Sequence, residues 1–308
     1  MSKILAVGTL AFDELITPFG QSGRILGGSA SYISIAAKKI TGDVGIVSVI
    51  GYDFPDHYLQ KFIDRQIDIS GVEKLEHEKT FYWKGKYHND LNRRDTLVTE
   101  VNALAHFNPV VPQHYKDAEF LMLGNLHPAI QQSVIDQMTR RPKLIALDTM
   151  NFWMDTAWDD LMTVLKNIDI LIINDEEARQ LSKDYSLVRA AKTIQKMGPK
   201  YVIIKKGEHG ALLFHGKNIF FAPALPLEDV FDPTGAGDTF AGGFIGRLAK
   251  MNDIGFEAMK NAVICGSNLA SFTVEKFGTE RLENLTEVDI KKRLKDFINL
   301  TQFDIELA

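Results

Sequence analysis

Short apolar runs, many of them β-branched, alternate along the chain with longer stretches in which apolar residues recur at helical spacing. The runs Ile4–Val7, Val44–Val49, Phe120–Leu123, Leu144–Leu147, Ile168–Ile173 and Val202–Ile204 predict strands buried on both faces, because they are almost continuously apolar. Ala30–Ile40, Pro55–Arg65, Ile130–Thr139, Trp158–Lys166, Glu176–Leu181 and Leu187–Met197 predict amphipathic helices between them. Strand–helix alternation of this kind predicts an α/β fold with a mostly parallel sheet covered on both faces. Beyond about residue 240 the pattern turns helical, over Ala241–Lys250, Gly255–Phe272 and Glu287–Asn299. No repeat, low-complexity tract or linker interrupts it, so residues 1–308 read as one main domain.

One region breaks the rhythm. Thr80–Tyr87 and Leu97–Val101 read as a strand pair joined by the polar loop His88–Thr96, and Glu14–Pro18 and Arg24–Leu26 are further short extended segments. Strands inserted at about 13–27 and 79–102 predict a small sheet projecting from the main one. The pattern alone fits a lid, a dimer surface or a plain surface hairpin equally well.

Composition narrows the class. With 45% hydrophobic and 24% charged residues, the chain is neither disordered nor collagenous nor a coiled coil. A net charge of −5 without a Lys/Arg cluster argues against nucleic acid as a partner. The single cysteine, Cys265, excludes an intramolecular disulfide and a multi-cysteine metal site; its helical stretch makes it core. The eight histidines form no metal-spaced cluster. No apolar run reaches membrane-spanning length, and the N-terminal run meets Gly8 and Asp13 too soon for a signal peptide. The expectation is a cytoplasmic protein with no membrane partner.

The most informative segment is Asp232-Pro233-Thr234-Gly235-Ala236-Gly237-Asp238-Thr239-Phe240-Ala241-Gly242-Gly243-Phe244. Pro233 ends an extended stretch, and Gly235 and Gly237 permit a turn that a Cβ would obstruct. A glycine turn running into a helix presents free N–H groups and the positive end of the helix dipole, which suits phosphate. A carboxylate in such a cradle repels phosphate unless it serves the reaction. Asp238 therefore reads either as a helix cap or as the group that accepts the proton of an attacking hydroxyl.

Asp232–Phe244 closely resembles the C-terminal signature of the ribokinase/PfkB carbohydrate kinase family, and the resemblance extends over nearly the whole chain. Gly27-Gly28 is similar to its N-terminal Gly-Gly signature, Asn174-Asp175-Glu176-Glu177 to its Asn-x-x-Glu, and Lys205-Lys206-Gly207-Glu208-His209-Gly210 to the glycine turn near the nucleotide phosphates. The resemblance implies a ribokinase-like three-layer sandwich with a β lid, and transfer of the γ-phosphoryl group of ATP to an alcohol. Asp238 would be the base, with Gly235, Ala236 and Gly237 as the anion hole. Asp13 would hydrogen-bond substrate hydroxyls beside Gly27 and Gly28. Asn174 and Glu177 would act through water on Mg²⁺ carried by the nucleotide, with Lys205, Gly207 and Gly210 near its phosphates. Asn174 with Glu177 three residues on also has the pattern of a capping box, and both readings are compatible. The resemblance leaves a role for a monovalent cation such as K⁺ open.

The departures concern the acceptor. Where the family often carries a sugar-reaching Asn, this chain has Tyr32, which either reshapes the pocket or turns into packing and leaves Ser31 nearby. Gly-Gly-Ser-Ala-Ser-Tyr is also similar to the inositol-kinase branch, so sugar, polyol and nucleoside acceptors all stay open. Arg94 in the lid loop could clamp a substrate or simply be solvated. Asn125, Asp148 and Asn151 follow strands at the edge where open α/β sheets bind ligands, though such residues also serve as turn caps. Trp83 and Tyr87 could stack on a ring or pack, and His209 follows the Gly207 turn. Apolar lid residues such as Phe81, Trp83 and Val98 need cover, which predicts a homodimer through the lid.

Two other classes are weighed. A dinucleotide-dependent oxidoreductase would carry Gly-x-Gly-x-x-Gly after the first strand, but Gly8–Asp13 holds one glycine, and no P-loop motif occurs. A non-catalytic sugar or nucleotide sensor would have no use for Asp238 inside an intact glycine cradle.

Overall fold

The structure is a computed structural model that describes residues 2–91 and 93–302. Its strands are β1 (Lys3–Val7), β2 (Ala11–Thr17), β3 (Gly20–Gly27), β4 (Asp43–Gly51), β5 (Asp68–Leu75), β6 (Tyr82–Tyr87), β7 (Arg94–Glu100), β8 (Phe120–Leu123), β9 (Leu144–Asp148), β10 (Ile170–Asn174), β11 (Tyr201–Lys205), β12 (Ala211–His215) and β13 (Asn218–Ala222). Its helices are α1 (Ser29–Lys38), α2 (Asp56–Asp64), α3 (Pro128–Asp136), α4 (Asn151–Thr156), α5 (Trp158–Leu165), α6 (Asp175–Ser182), α7 (Leu187–Gln195), α8 (Ala236–Met251), α9 (Phe256–Thr273), α10 (Glu280–Glu283) and α11 (Glu287–Thr301). None is long and apolar enough to cross a membrane among the described residues.

The large sheet runs β13-β12-β11-β10-β9-β8-β1-β4-β5. Every pairing from β11 to β5 is parallel, and β12 and β13 close one side as antiparallel strands. Period-2 alternation divides the core in two. Ile4, Ala6, Phe120 and Met122 face one apolar layer with α1, α8 and α9. Leu5, Val7, Leu121 and Leu123 face the other, with α3, α5, α6 and α7. Helix–sheet–helix layering follows directly from strands that are apolar on both sides.

β5, β12 and β13 escape the reading by apolar runs. β5 and β13 are the edge strands and carry mixed, partly exposed patterns such as Asp-Ile-Ser-Gly-Val-Glu-Lys-Leu, whereas β12, between β11 and β13, is a short, largely buried run, Ala-Leu-Leu-Phe-His. The small sheet forms from the segments expected, in the order β3-β2-β6-β7. Its β2–β6 pair is parallel and its outer pairs are antiparallel.

One helix contact positions the cleft. α1 is buried over nine of its ten residues, and α8 runs parallel to it. A Cβ on Gly242 would lie 2.3 Å from the Ile33 carbonyl oxygen, and one on Gly246 would lie 3.0 Å from Ala37 Cα. Glycine on α8 thus lets the two helices meet backbone to backbone, and both begin at the same edge of the sheet. Gly242→Ala gains helix propensity but must push the two backbones apart, and the backbone clash is the larger effect. A loss of about 1–3 kcal/mol in urea unfolding is expected. An unchanged midpoint would show that α1 and α8 can separate without cost.

Candidate active site

The parallel strands deliver their last residues to one edge of the sheet, and the chemistry-bearing residues gather there. β9 ends at Asp148, β10 at Asn174 and β11 at Lys205; Asn174 and Lys205 are register partners. α1 and α8 open at the same edge. Gly28, with φ of 89°, precedes α1, and Gly235, with φ of 74°, precedes α8. Such backbone is strained for any residue with a Cβ. The α1 amides are taken up within the fold, Ser29 by Thr9 Oγ1 and Ala30 by the Thr9 carbonyl, and at α8 the Ala236 amide donates to the Pro233 carbonyl at 3.3 Å; the Gly237 and Asp238 amides of α8 have no protein acceptor among the described residues.

Asp13 of β2 turns into the same space. Its carboxylate lies on Gly27, where a Cβ would come within 2.0 Å of Oδ2, and it accepts a hydrogen bond from the Gly28 amide. Burial, with the nearby charges of Asp232 and Asp238, raises its pKa to about 7. Glu177 accepts from the Asn174 amide at 2.8 Å, and Asn174 Oδ1 accepts from the Glu177 amide at 2.8 Å; this is the reciprocal capping box expected. Burial and the Asp148 charge raise Glu177 to about 7. Asp148 is raised by burial and accepts from the Thr149 amide at 3.0 Å.

Asp232 is fully buried and tied down on both sides. Oδ1 accepts from the Thr234 amide at 2.8 Å and Oδ2 from the Gly278 amide at 3.1 Å. Those bonds fix the chain entering the glycine turn. Asp238, in the first turn of α8, differs from the other four carboxylates. Among the described residues it accepts no hydrogen bond from the protein, while burial and the Asp148 charge raise its pKa to about 7. It is a proton acceptor without a resident proton donor.

Tyr32 neither opens the pocket nor turns away from it. Its ring lies flat against Gly235, where a Cβ would sit 2.3 Å from Cζ, and its buried hydroxyl has no hydrogen-bond partner. Ser31 donates to the Gly27 carbonyl at 2.7 Å and so stabilises its own turn. Asn125 is engaged as well: Oδ1 accepts from Trp153 Nε1 at 2.8 Å and Nδ2 lies 3.1 Å from Met150 Sδ. Asn151 hydrogen-bonds Gln180, tying α4 to α6.

Next to the cradle is a cavity of about 640 Å³ lined in part by Lys205, Gly207, Gly210, Leu225, Ala236 and Gly237. Gly210, with φ of 82°, holds its wall, since a Cβ there would meet the Ala222 carbonyl at 2.1 Å. His209 also lines it but is exposed and 3.8 Å from Glu208. Asp90 and Leu91, from the turn between β6 and β7, reach the same cavity.

The small sheet touches the cradle at Tyr87, whose hydroxyl hydrogen-bonds Thr234 Oγ1 at 2.9 Å. Tyr87 is buried, and of the two readings the sequence left open, stacking on a ring or packing, its contact with Thr234 matches packing. Arg94, its cross-strand partner, stays exposed over the Trp83 ring, and its charge acts on Glu177 and Asp238. Trp83 lies on the face of the small sheet, over Gly85, and donates to Thr96 Oγ1. Sequence reasoning singled out Asp148 only as a strand-end residue, gave Asp232 no role of its own, and missed the contact of Tyr87 with the glycine turn. The signal for Asp232 was its place two residues before Thr234 in an Asx-type turn.

The family model for the pfkB family carbohydrate kinases matches residues 4–285. A cytidine kinase of Thermococcus kodakarensis is 31% identical over 255 residues, which is 81% of this chain and 90% of that protein. The crystal structure of Methanocaldococcus jannaschii nucleoside kinase, an archaeal member of the ribokinase family, superposes with a TM-score of 0.78 at 22% identity, covering 96% of this chain and 99% of that one. A putative ribokinase II from E. coli, crystallised with ATP and Mg²⁺, gives 0.76 at 22% identity, covering 97% and 100%. With the glycine cradle, the two helix starts and the ribokinase-like fold all present, the chain belongs to the pfkB family of carbohydrate kinases and is an ATP-dependent phosphotransferase of the sugar and nucleoside kinase class.

Proposed function

We propose that this protein phosphorylates a hydroxyl of a ribonucleoside with ATP, using Asp238 as general base. The observation that carries the assignment is the one that separates Asp238 from its neighbours. Of five raised carboxylates at the cleft, it alone accepts no hydrogen bond from the protein among the described residues. The acceptor O–H gives its proton to Asp238, the oxygen lone pair bonds to the γ-phosphorus, and the γ-phosphorus–oxygen bond breaks with its electron pair leaving on ADP. Gly235, Ala236 and Gly237 supply the amide-lined turn for the charge that develops.

The acceptor side rests on Asp13 and Tyr32. A buried carboxyl and an unpartnered phenol suit a ring carrying several hydroxyls. The nucleoside choice draws on the cytidine kinase relative; a simple sugar or polyol is the second reading, left by the same hydroxyl-binding groups. The cavity beside Gly207 and Gly210 is the proposed nucleotide site.

Magnesium fits the residues present in one way. The described residues hold no cluster of three or more His, Cys, Asp or Glu that could ligate a metal ion, so the ion would come with the nucleotide phosphates and their water. Asn174 and Glu177 would face that water shell. When bound, the ion would offset phosphate charge. The small sheet is proposed as a lid: Tyr87 and Thr234 join it to the cradle, and water exclusion favours transfer over hydrolysis.

The lid is also proposed as a dimer surface. β7 is an edge strand exposed along its whole length, with Leu97 and Val98 on it and Val101 just beyond it in the open, and a second copy related by a two-fold axis would cover it. Light scattering at micromolar concentration is expected to give twice the chain mass, and Val98→Lys to give the monomer. A monomeric wild type would refute the surface.

Raised carboxylates set two pH trends. A folded-state pKa above the unfolded value stabilises below the unfolded value, and that stabilisation is lost as pH rises through the folded one. Asp13, Glu177 and Asp238, each raised to about 7, should therefore lower the thermal midpoint between pH 5.5 and 8. Asp238→Asn should melt higher than wild type at pH 8, with the gain fading toward pH 5. An equal offset at both pH values would mean that Asp238 carries no burial penalty.

The reading itself is tested with Mg²⁺ and ATP, with and without K⁺, against nucleosides, pentoses, hexoses and inositols. A nucleoside should turn over best, and Asp238→Asn should lose roughly a hundredfold or more while still binding ATP. Full activity in that variant would remove Asp238 as the base, and a better sugar acceptor would move the assignment to the second reading.

A further inference from the structure

Lys205 occupies a place that stability alone does not account for. It is the last residue of β11, and its ammonium lies against the Cα of Gly237 in the first turn of α8. A Cβ built on Gly237 would sit 2.8 Å from Nζ, so an alanine there would oblige the ammonium to shift. The N-terminal end of a helix carries partial positive charge, which puts this cation on the repelling side of the dipole. Lys205 is also poorly paired for a side chain only 18% exposed. The one carboxylate oxygen within 4.0 Å among the described residues is Asp148 Oδ1, at 3.9 Å, which is beyond hydrogen-bonding reach. An ammonium has three donors, and among the described residues none of them has a protein acceptor within hydrogen-bonding reach, which leaves all three to the open side of the cleft.

An anion between the ammonium and the helix start resolves both problems at once. We propose that Lys205 is a catalytic residue that contacts the γ-phosphoryl group of ATP from the side opposite the first-turn amides of α8. This rests on the kinase reading above and adds to it a fixed cation at the transferring group. Asp148, Glu177 and Asp238 surround the ammonium and keep it in the cleft when no nucleotide is bound. Burial pulls its pKa down, but the attraction of those carboxylates outweighs burial and holds the proton on. The charge is thus in place before the reaction and needs no reorganisation as charge shifts onto the phosphoryl oxygens. A lysine places a compact point charge beside Gly237 and Asp148, where an arginine would bring a planar fork of different reach.

The test compares ATP with ADP, which differ by the group in question. Calorimetric titrations with Mg²⁺ and no acceptor are made on wild type, Lys205→Met and Lys205→Arg. Lys205→Met should weaken ATP about 10- to 100-fold more than ADP, the size of one charge-assisted contact. Turnover should fall about 100- to 1000-fold, with the acceptor KM nearly unchanged. Lys205→Arg should recover little of either. Gly237→Ala, which pushes the ammonium from its seat, should reproduce the preference for losing ATP.

If Lys205→Met folds poorly, the double variant with Asp148→Asn removes the carboxylate left unpaired and carries the same comparison. Equal weakening of ATP and ADP, or none, would make Lys205 a structural partner of Asp148 and overturn the proposal. Because these titrations use no acceptor, failure of the kinase reading shows itself separately, as absent turnover in the wild type.

Discussion

The backbone contact between α1 and α8 is the constraint from which the site follows. Gly242 and Gly246 bring the two helices close enough that a single Cβ would strike the Ile33 carbonyl. Because the helices run parallel, the contact also sets their starting points side by side at the C-terminal edge of the sheet. Gly28 and Gly235 then turn the chain through positive φ; Thr9 takes the Ser29 and Ala30 amides of α1, while the Gly237 and Asp238 amides of α8 have no protein acceptor among the described residues. Two positive helix ends in one cleft make a potential that neither would make alone. The Tyr32 ring, from α1, fills the space that Gly235 leaves open at the start of α8, so even the join between the two helices is sealed.

That potential explains why so many carboxylates are tolerated in one place. Asp13, Asp148, Glu177, Asp232 and Asp238 all resist ionisation, chiefly through burial. Raised values alone do not distinguish structure from chemistry, since a fixed anchor and a reactive acid are desolvated alike. Hydrogen bonding does. Asp232, with one amide on each oxygen, is held as a strut beneath the turn. Asp13, Asp148 and Glu177 each keep one amide. Asp238 keeps none among the described residues. A site that stores its least satisfied group at the helix end best suited to anions has traded stability for reactivity.

How much of this was legible in the sequence depends on the kind of information each feature needs. The central strands could be read because residues such as Ile170–Ile173 are apolar on both faces. β5 and β13 could not, because an edge strand has a wet face and little continuous burial; β12, Ala211–His215, does carry a short apolar run and escapes the reading although it is largely buried between β11 and β13. Asp238 and its glycines stood out because turn, cradle and helix start are local in the chain. The company of Lys205 was not local. It depends on β9, β10 and β11 lying next to one another, so that Asp148, Asn174 and Lys205 end in a row. Ser31 and Asn125 illustrate the reverse: their positions read as substrate-facing, yet each side chain has a protein partner that no spacing rule reveals.

The small sheet links these levels. Tyr87 and Arg94 are paired across β6 and β7, so one register position sends a hydroxyl to Thr234 and a guanidinium charge toward Asp238 and Glu177. Thr234 is itself held by Asp232, which reaches across to Gly278. Movement of the sheet would therefore be felt at the turn carrying Gly235, through a chain of contacts with no flexible step longer than one side chain. Under the kinase reading, the element that keeps water from the phosphoryl group is also the element that steadies the turn receiving it. Closure and cradle geometry are then one event, and water would meet an incomplete cradle whenever the cleft is open.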